Sequence, residues 1–256
     1  MRYVRNRGWL RAIGGAALAL APLSLAAQTV SEQYLLAAAN QDRALHHLPP
    51  VRLDARLTEA AKYHARQMAS HGNISHQFPG EPELAERASS AGAKFSLVTE
   101  NVAEAPSATV IHDLWMHSEG HRANLLDPKV DSVGISVVSR NGELFAAEDF
   151  ARTVKNMSLE QQEAAVGYLL DKAGVALADE TVQRDARATC RLSTGFAGAR
   201  KPWFVMRYTA ADLNRLPVEL TSRLASGKYH EAAVGACTGS AQSPFTSYNF
   251  AVMLYP

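Results

Sequence analysis

The sequence predicts an α+β protein in two units. Three observations predict it. Residues 31–117 carry apolar positions at helical spacing, and residues 133–151 then switch to strand-like alternation around an Asn-Gly turn. Residues 158–256 again open with a capped helix and end in alternating runs. The 256 residues are 47% hydrophobic and 20% charged, enough to build two cores and too apolar for a disordered chain.

The elements follow in order. Leu35, Ala38, Ala39, Asp42 and Leu45 give a helix over 31–47, which Pro49-Pro50 ends. Asp54 is an N-cap for a second helix, with Leu57, Ala60, Ala61, His64, Ala65 and Met68 on one face and Gly72 at its end. Residues 73–82 read as a loop, 83–91 as a short helix closed by Gly92, and 107–117 as a helix with Val110, Ile111, Leu114 and Trp115 on one face. Val133, Ile135 and Val137 alternate, Asn141-Gly142 turns the chain, and 143–151 pairs back. Residues 152–158 form a boundary between units 28–152 and 158–256. Ser158 and Gln161 then form a capping box for a helix to about Lys172. Strands are expected over 186–196, 202–208, 229–237 and 247–255, with a helical stretch at 210–226. No internal repeat is visible in the residues.

Residues 1–27 have the pattern of a cleaved secretory signal: Arg2, Arg5, Arg7 and Arg11, the small-apolar run 12–21, and small residues before Gln28. The run is too short for a membrane span. The chain holds 26 basic and 25 acidic residues; outside 1–27 these become 22 and 25, a net charge of −3. Without a basic cluster, nucleic acid is a poor partner. The expected location is therefore secreted or periplasmic. Cys190 and Cys237 fit a disulfide in such a compartment, the alternative being two buried thiols.

Eight of nine histidines lie between positions 46 and 121, which places the polar chemistry in the first unit. His64 reads as a core residue, His46-His47 as a helix end, and His71 and His112 as surface or cleft-rim groups. His117 and His121 share i,i+4 spacing, but Gly120 lies between them and the pattern is not HExxH. No nucleophile elbow or phosphate-binding loop is present.

Three segments and a strand carry a resemblance: Ile74-Ser75-His76, Thr99-Glu100-Asn101-Val102, Trp115-Met-His-Ser118-Glu119-Gly120-His121-Arg122, and Val133-Gly134-Ile135-Ser136. In order and content they resemble the CAP superfamily (cysteine-rich secretory, antigen 5 and pathogenesis-related-1 proteins) in its compact bacterial, SCP-like form, over about 31–152. The resemblance implies an α-β-α sandwich with a cleft containing His76, His121 and Glu100. The second acid of the eukaryotic members falls at Ser118, and Glu119 stands where the bacterial form usually has Pro.

Two imidazoles and a carboxylate could hold a divalent ion such as zinc and leave a position for water. The same groups could also form a polar network without metal. The expected function is binding of a small apolar or amphipathic ligand, or a peptide, in that cleft. The alternatives are a metal-dependent, peptidase-like hydrolase at the cell envelope, or a structural envelope protein with a vestigial cleft. A cell-envelope component is a candidate partner. The second unit resembles no named family; it reads as a smaller α+β domain, with its aromatics packed in a plain core or partly presented for recognition.

Overall fold

The computed structural model describes residues 28–238 and 243–256. The expected signal segment lies outside the described residues. The chain builds two four-stranded sheets, each between layers of helices.

In the first half, α1 (Val30–Leu45) starts at a capping box of Thr29 and Glu32. The short strand β1 (Arg52–Leu53) leads to α2 (Ala55–His71), capped by Asp54, whose carboxylate accepts the N–H groups of Arg56 and Leu57. Then come α3 (Leu84–Ser90), β2 (Phe95–Ala105), α4 (Ala108–His117), α5 (Glu119–Leu125), β3 (Ser132–Arg140) and β4 (Glu143–Thr153). The sheet order is β1-β3-β4-β2, with β1 parallel to β3 and the other pairs antiparallel. Leu35 of α1 and Ile111 and Trp115 of α4 cover one face, against Val133, Ile135 and Phe150. Ala61, Ala65 and Met68 of α2 cover the other, against Val102, Phe145 and Ala147. This is the expected α-β-α sandwich.

The second half contains α6 (Leu159–Lys172), β5 (Ala176–Leu177), α7 (Glu180–Cys190), β6 (Phe204–Ala210), α8 (Val218–Leu224), β7 (Glu231–Cys237) and β8 (Tyr248–Tyr255). It repeats the connectivity of the first half. The order is β5-β7-β8-β6, with β5 parallel to β7 and the other pairs antiparallel. Helices α6 and α8 pack on one face, as α1 and α4 do, and α7 packs on the other, as α2 does.

The details repeat too. Asp179 caps α7 as Asp54 caps α2. A central glycine lets that helix backbone touch each sheet: a Cβ on Gly134 would lie 2.1 Å from the Leu57 carbonyl carbon, and one on Gly235 would lie 2.1 Å from that of Ala186. A glutamate in the opening helix also accepts a β-strand N–H in each half, Glu32 from Val137 at 3.1 Å and Glu163 from Ala236 at 2.9 Å.

Several expectations are corrected. Residues 186–196 do not form a strand: 186–190 finish α7, whose Val182, Ala186 and Thr189 share a buried helical face, and 191–203 are irregular. The helical stretch expected over 210–226 contracts to α8, because Pro217 starts the helix there. The disulfide Cys190–Cys237 is present and clips the end of α7 to β7, where two strands had been expected. Strand β2 and helix α5 were not foreseen. Ser118, with extended backbone, separates α4 from α5, so His117 and His121 lie on different helices.

Candidate functional site

The site lies where the segment after α2, helix α3, the middle of β2 and helix α5 meet. Glu100 is at its base, on β2, with its side chain 2% exposed. One oxygen, Oε2, faces His76 Nδ1 at 2.8 Å, and the other accepts from Arg87 Nη2 of α3. The Arg87 guanidinium, 1% exposed, also donates to the carbonyls of His76 at 3.2 Å and Pro82 at 3.1 Å. It therefore neutralises Glu100 and fixes the loop that carries His76.

Beneath this loop, His64 of α2 bridges Glu81 Oε1 through Nδ1 and the Ser75 carbonyl through Nε2, both at 2.7 Å. Both partners are oxygen atoms, and together they fix the plane of the ring. Glu81 also accepts the Phe78 N–H at 3.0 Å. His64, Glu81, Arg87 and Glu100 thus form a buried polar network under an open rim.

His76 stands at the rim, its side chain 63% exposed. Its hydrogen bond to Glu100 raises its pKa above the ordinary imidazole value, against a smaller opposing effect of burial. His121, on α5, shifts the other way: burial lowers its pKa, and the nearby His76 lowers it further. Asn101 places α5 by donating to the His121 carbonyl at 3.1 Å, and Asn124 returns to the Glu100 carbonyl at 3.2 Å.

On the neighbouring strand, Asp149 pairs in register with Glu100 and is fully buried. Burial, and then the Glu100 charge, push its carboxyl well above the usual carboxylate range. The open part of the cleft measures about 400 Å³ and is lined by His76, Gln77, Glu83, Leu84, Thr99 and Glu100, with Asn124 at one end.

Of the residues picked out in sequence, His76 and Glu100 are in direct contact, and His121 is close enough for its titration to feel the His76 charge. Ser118 sits at the α4–α5 break and caps nothing with its side chain; Glu119 is the exposed first residue of α5. His112 pairs with Asp42 at 2.6 Å, and His71 stacks on Phe78. Arg87, Glu81 and Asn124 were not anticipated. Asn101 lay inside a recognised motif, and His64 had been read as core packing alone.

The donor set does not fit a divalent ion as it stands. Both Glu100 oxygens are committed, one to a guanidinium and one to His76 Nδ1, so Glu100 is not an open ligand and His76 Nε2 is the ring nitrogen left facing out. No group of three or more His, Cys, Asp or Glu side chains among the described residues is arranged to hold a metal.

Residues 36–153 match the model of the cysteine-rich secretory protein family, CAP. This segment is a CAP domain. Two curated Bacillus subtilis proteins are similar to it. The uncharacterised protein YkwD is 28% identical over 119 residues, which are 46% of this chain and 45% of that protein. The uncharacterised membrane protein YlbC is 30% identical over 114 residues, 43% of this chain and 32% of that protein. The chain thus spans less than half the length of these relatives.

Among solved structures, an extracellular SCP-domain protein of Bacillus anthracis has 27% identity and a TM-score of 0.45, covering 48% of this chain and 40% of that one. An outer surface protein of Borrelia burgdorferi has 18% identity and a TM-score of 0.45, covering 48% and 92%.

Among the described residues, the second half has no counterpart of the Glu100–Asp149 pair. Register places Arg207 of β6 opposite Ala251, in the row of Gly235, where the first half has Glu100 opposite Asp149 in the row of Gly134. Arg207 donates to the carbonyls of Thr189 at 2.9 Å and Gly195 at 2.6 Å, tying the segment after α7 over that position.

Proposed function

We propose that the CAP domain binds a small amphipathic ligand outside the cytoplasm, with the polar end at His76 and the apolar part along Leu84. The observation that carries this reading is the pairing of an exposed imidazole, held toward its charged form by Glu100, with an adjoining cleft of ligand size. The Nδ1 side of His76 is occupied, so Nε2 is the group offered to a ligand acceptor. The arginine-led apolar run at the N-terminus and the disulfide support an extracytoplasmic setting.

A fluorescent fatty acid titrated into the purified protein tests the reading. Saturable binding, weakened at least tenfold by His76→Ala and by Leu84→Asp, is the expected result. Binding that ignores both substitutions would refute it.

One observation favours a second reading. His76 and His121 are shifted in opposite directions, which is how an acid and a base are set side by side for proton transfer. On that reading the cleft hydrolyses an ester or amide. Turnover of a p-nitrophenyl ester or a peptide library, lost in His121→Ala, would replace the binding reading with this one.

A further inference from the structure

A second and larger cleft, about 730 Å³, opens between the two halves of the chain. One wall is the end of β4 and the segment after it, with Arg152, Lys155 and Asn156. The opposite wall is Gln161, Ala164 and Ala165 of α6, together with the segment after β6 that carries Asp212 and Asn214. Tyr248 braces the junction by donating its hydroxyl to the Lys155 carbonyl at 2.6 Å. The cleft is separate from the histidine site and shares no lining residue with it.

The polar groups of this cleft are largely unspent. Gln161 uses its Oε1 on the Ser158 N–H, which leaves its amide N–H groups free. The side-chain amides of Asn156 and Asn214 and the ammonium of Lys155 make no hydrogen bond or ion pair among the described residues. Asp131, by contrast, is committed: Oδ1 accepts from Ser132 Oγ and from both the N–H and the hydroxyl of Thr153. Arg152 and Asp212 face each other at a loose 3.5 Å. The two acids and two bases of the lining balance in number, and Lys155 is the one of the four that makes no hydrogen bond or ion pair with its side chain among the described residues.

We infer that this cleft is a second binding site, for a short acidic saccharide. Side-chain amides both donate and accept, as sugar hydroxyls require. The Arg152–Asp212 pair offers the same two roles, and Lys155 supplies the counter-charge for a carboxylate. Ala164 and Ala165 leave a shallow apolar floor on which a ring can lie. The site sits at an interface between two packed units, a common place for a ligand. Met157, Ala211 and Leu213 add apolar surface to the lining, so a peptide of the same charge is the comparator that tests the assignment.

Isothermal titration with trigalacturonate tests this, with maltotriose and triglutamate as comparators of similar length. The expected result is saturable trigalacturonate binding that weakens with salt. It should fall at least tenfold in Lys155→Gln, fall further in Lys155→Gln/Asn214→Ala, and vanish in Ala165→Trp, which fills the floor. His76→Ala should leave it unchanged. Lys155 and Asn214 are exposed, so folding should survive their replacement, and thermal melts of each variant check this. Equal binding of maltotriose would overturn the charge argument, and tighter binding of triglutamate would overturn the saccharide assignment. Absence of trigalacturonate binding, or binding unaffected by Ala165→Trp, would overturn the site.

Discussion

Replacing Arg87 by Met would remove the guanidinium from the buried network beneath the cleft while keeping the length of the side chain. Arg87 is 1% exposed, touches Glu100, lies 3.7 Å from Glu81 and donates to two backbone carbonyls. Its loss strands the Glu100 charge, 2% exposed, with His76 as its remaining partner. It also leaves the His76 and Pro82 carbonyls without that donor. Removing one member of a buried ion pair costs about 3–5 kcal/mol, mostly through the uncompensated charge. Much of a small domain's stability is of that size. Urea unfolding at pH 7 should therefore show Arg87→Met less stable by about 3–5 kcal/mol. Because the penalty comes from the stranded carboxylate, Arg87→Met/Glu100→Gln should recover more than half of the loss. A loss below about 1 kcal/mol, within the range of an exposed pair, would refute the reasoning, as would a double variant no more stable than the single one.

Other outcomes follow from the same geometry. Glu148 is fully buried with neither oxygen hydrogen-bonded, and burial pushes its carboxyl well above the usual range. An acid raised in the folded state stabilises below its unfolded pKa of about 4.3, and that contribution is lost as pH rises through the folded value. Glu148→Gln should therefore gain on the parent by up to about 1.4 kcal/mol per pH unit above that point, read from urea midpoints between pH 5 and 8; a gap independent of pH would contradict this. Gly134→Ala and Gly235→Ala should each destabilise strongly, since the added methyl meets helix backbone at 2.1 Å in both halves, and thermal melts showing one site tolerant would break their equivalence. Cys190→Ser/Cys237→Ser opens a loop with a separation of 47 residues and should cost about 4 kcal/mol on the chain-entropy model, measured by urea unfolding.

The sequence made the first half legible because its signals are local. Asp54, Gly72, Asn141-Gly142 and the spacing of Leu57 to Met68 each act within one or two turns of chain, and each stands where expected. Strand β2 escaped because its face toward α2 carries Glu100 beside Val102, and its opposite face carries Asn101 beside Ala103. Buried polar groups erase the apolar alternation that marks a strand.

The same burial hid the supporting network. Arg87 sits in a seven-residue helix with no motif around it, and only the fold brings it to Glu100. The repeat in the second half left little trace in the residues, because its parts are backbone connectivity, two helix-capping aspartates and two packing glycines. At the position of Glu100 the second half has an arginine, so the residues that identified the first half were absent from the second.

The most direct test of the central claim, two nearby imidazoles with pKa values moved in opposite directions, is an NMR pH titration of the histidine ring protons, assigned with His76→Ala and His121→Ala. The account predicts that His76 titrates above the ordinary value of about 6.5 and His121 below it, with Glu100→Gln returning His76 toward that value. Because the His76 pKa is raised, its bond to Glu100 stabilises fully below about pH 6.5 and fades as pH rises through the shifted value. Two rings titrating together near the ordinary value, unmoved by Glu100→Gln, would contradict the account.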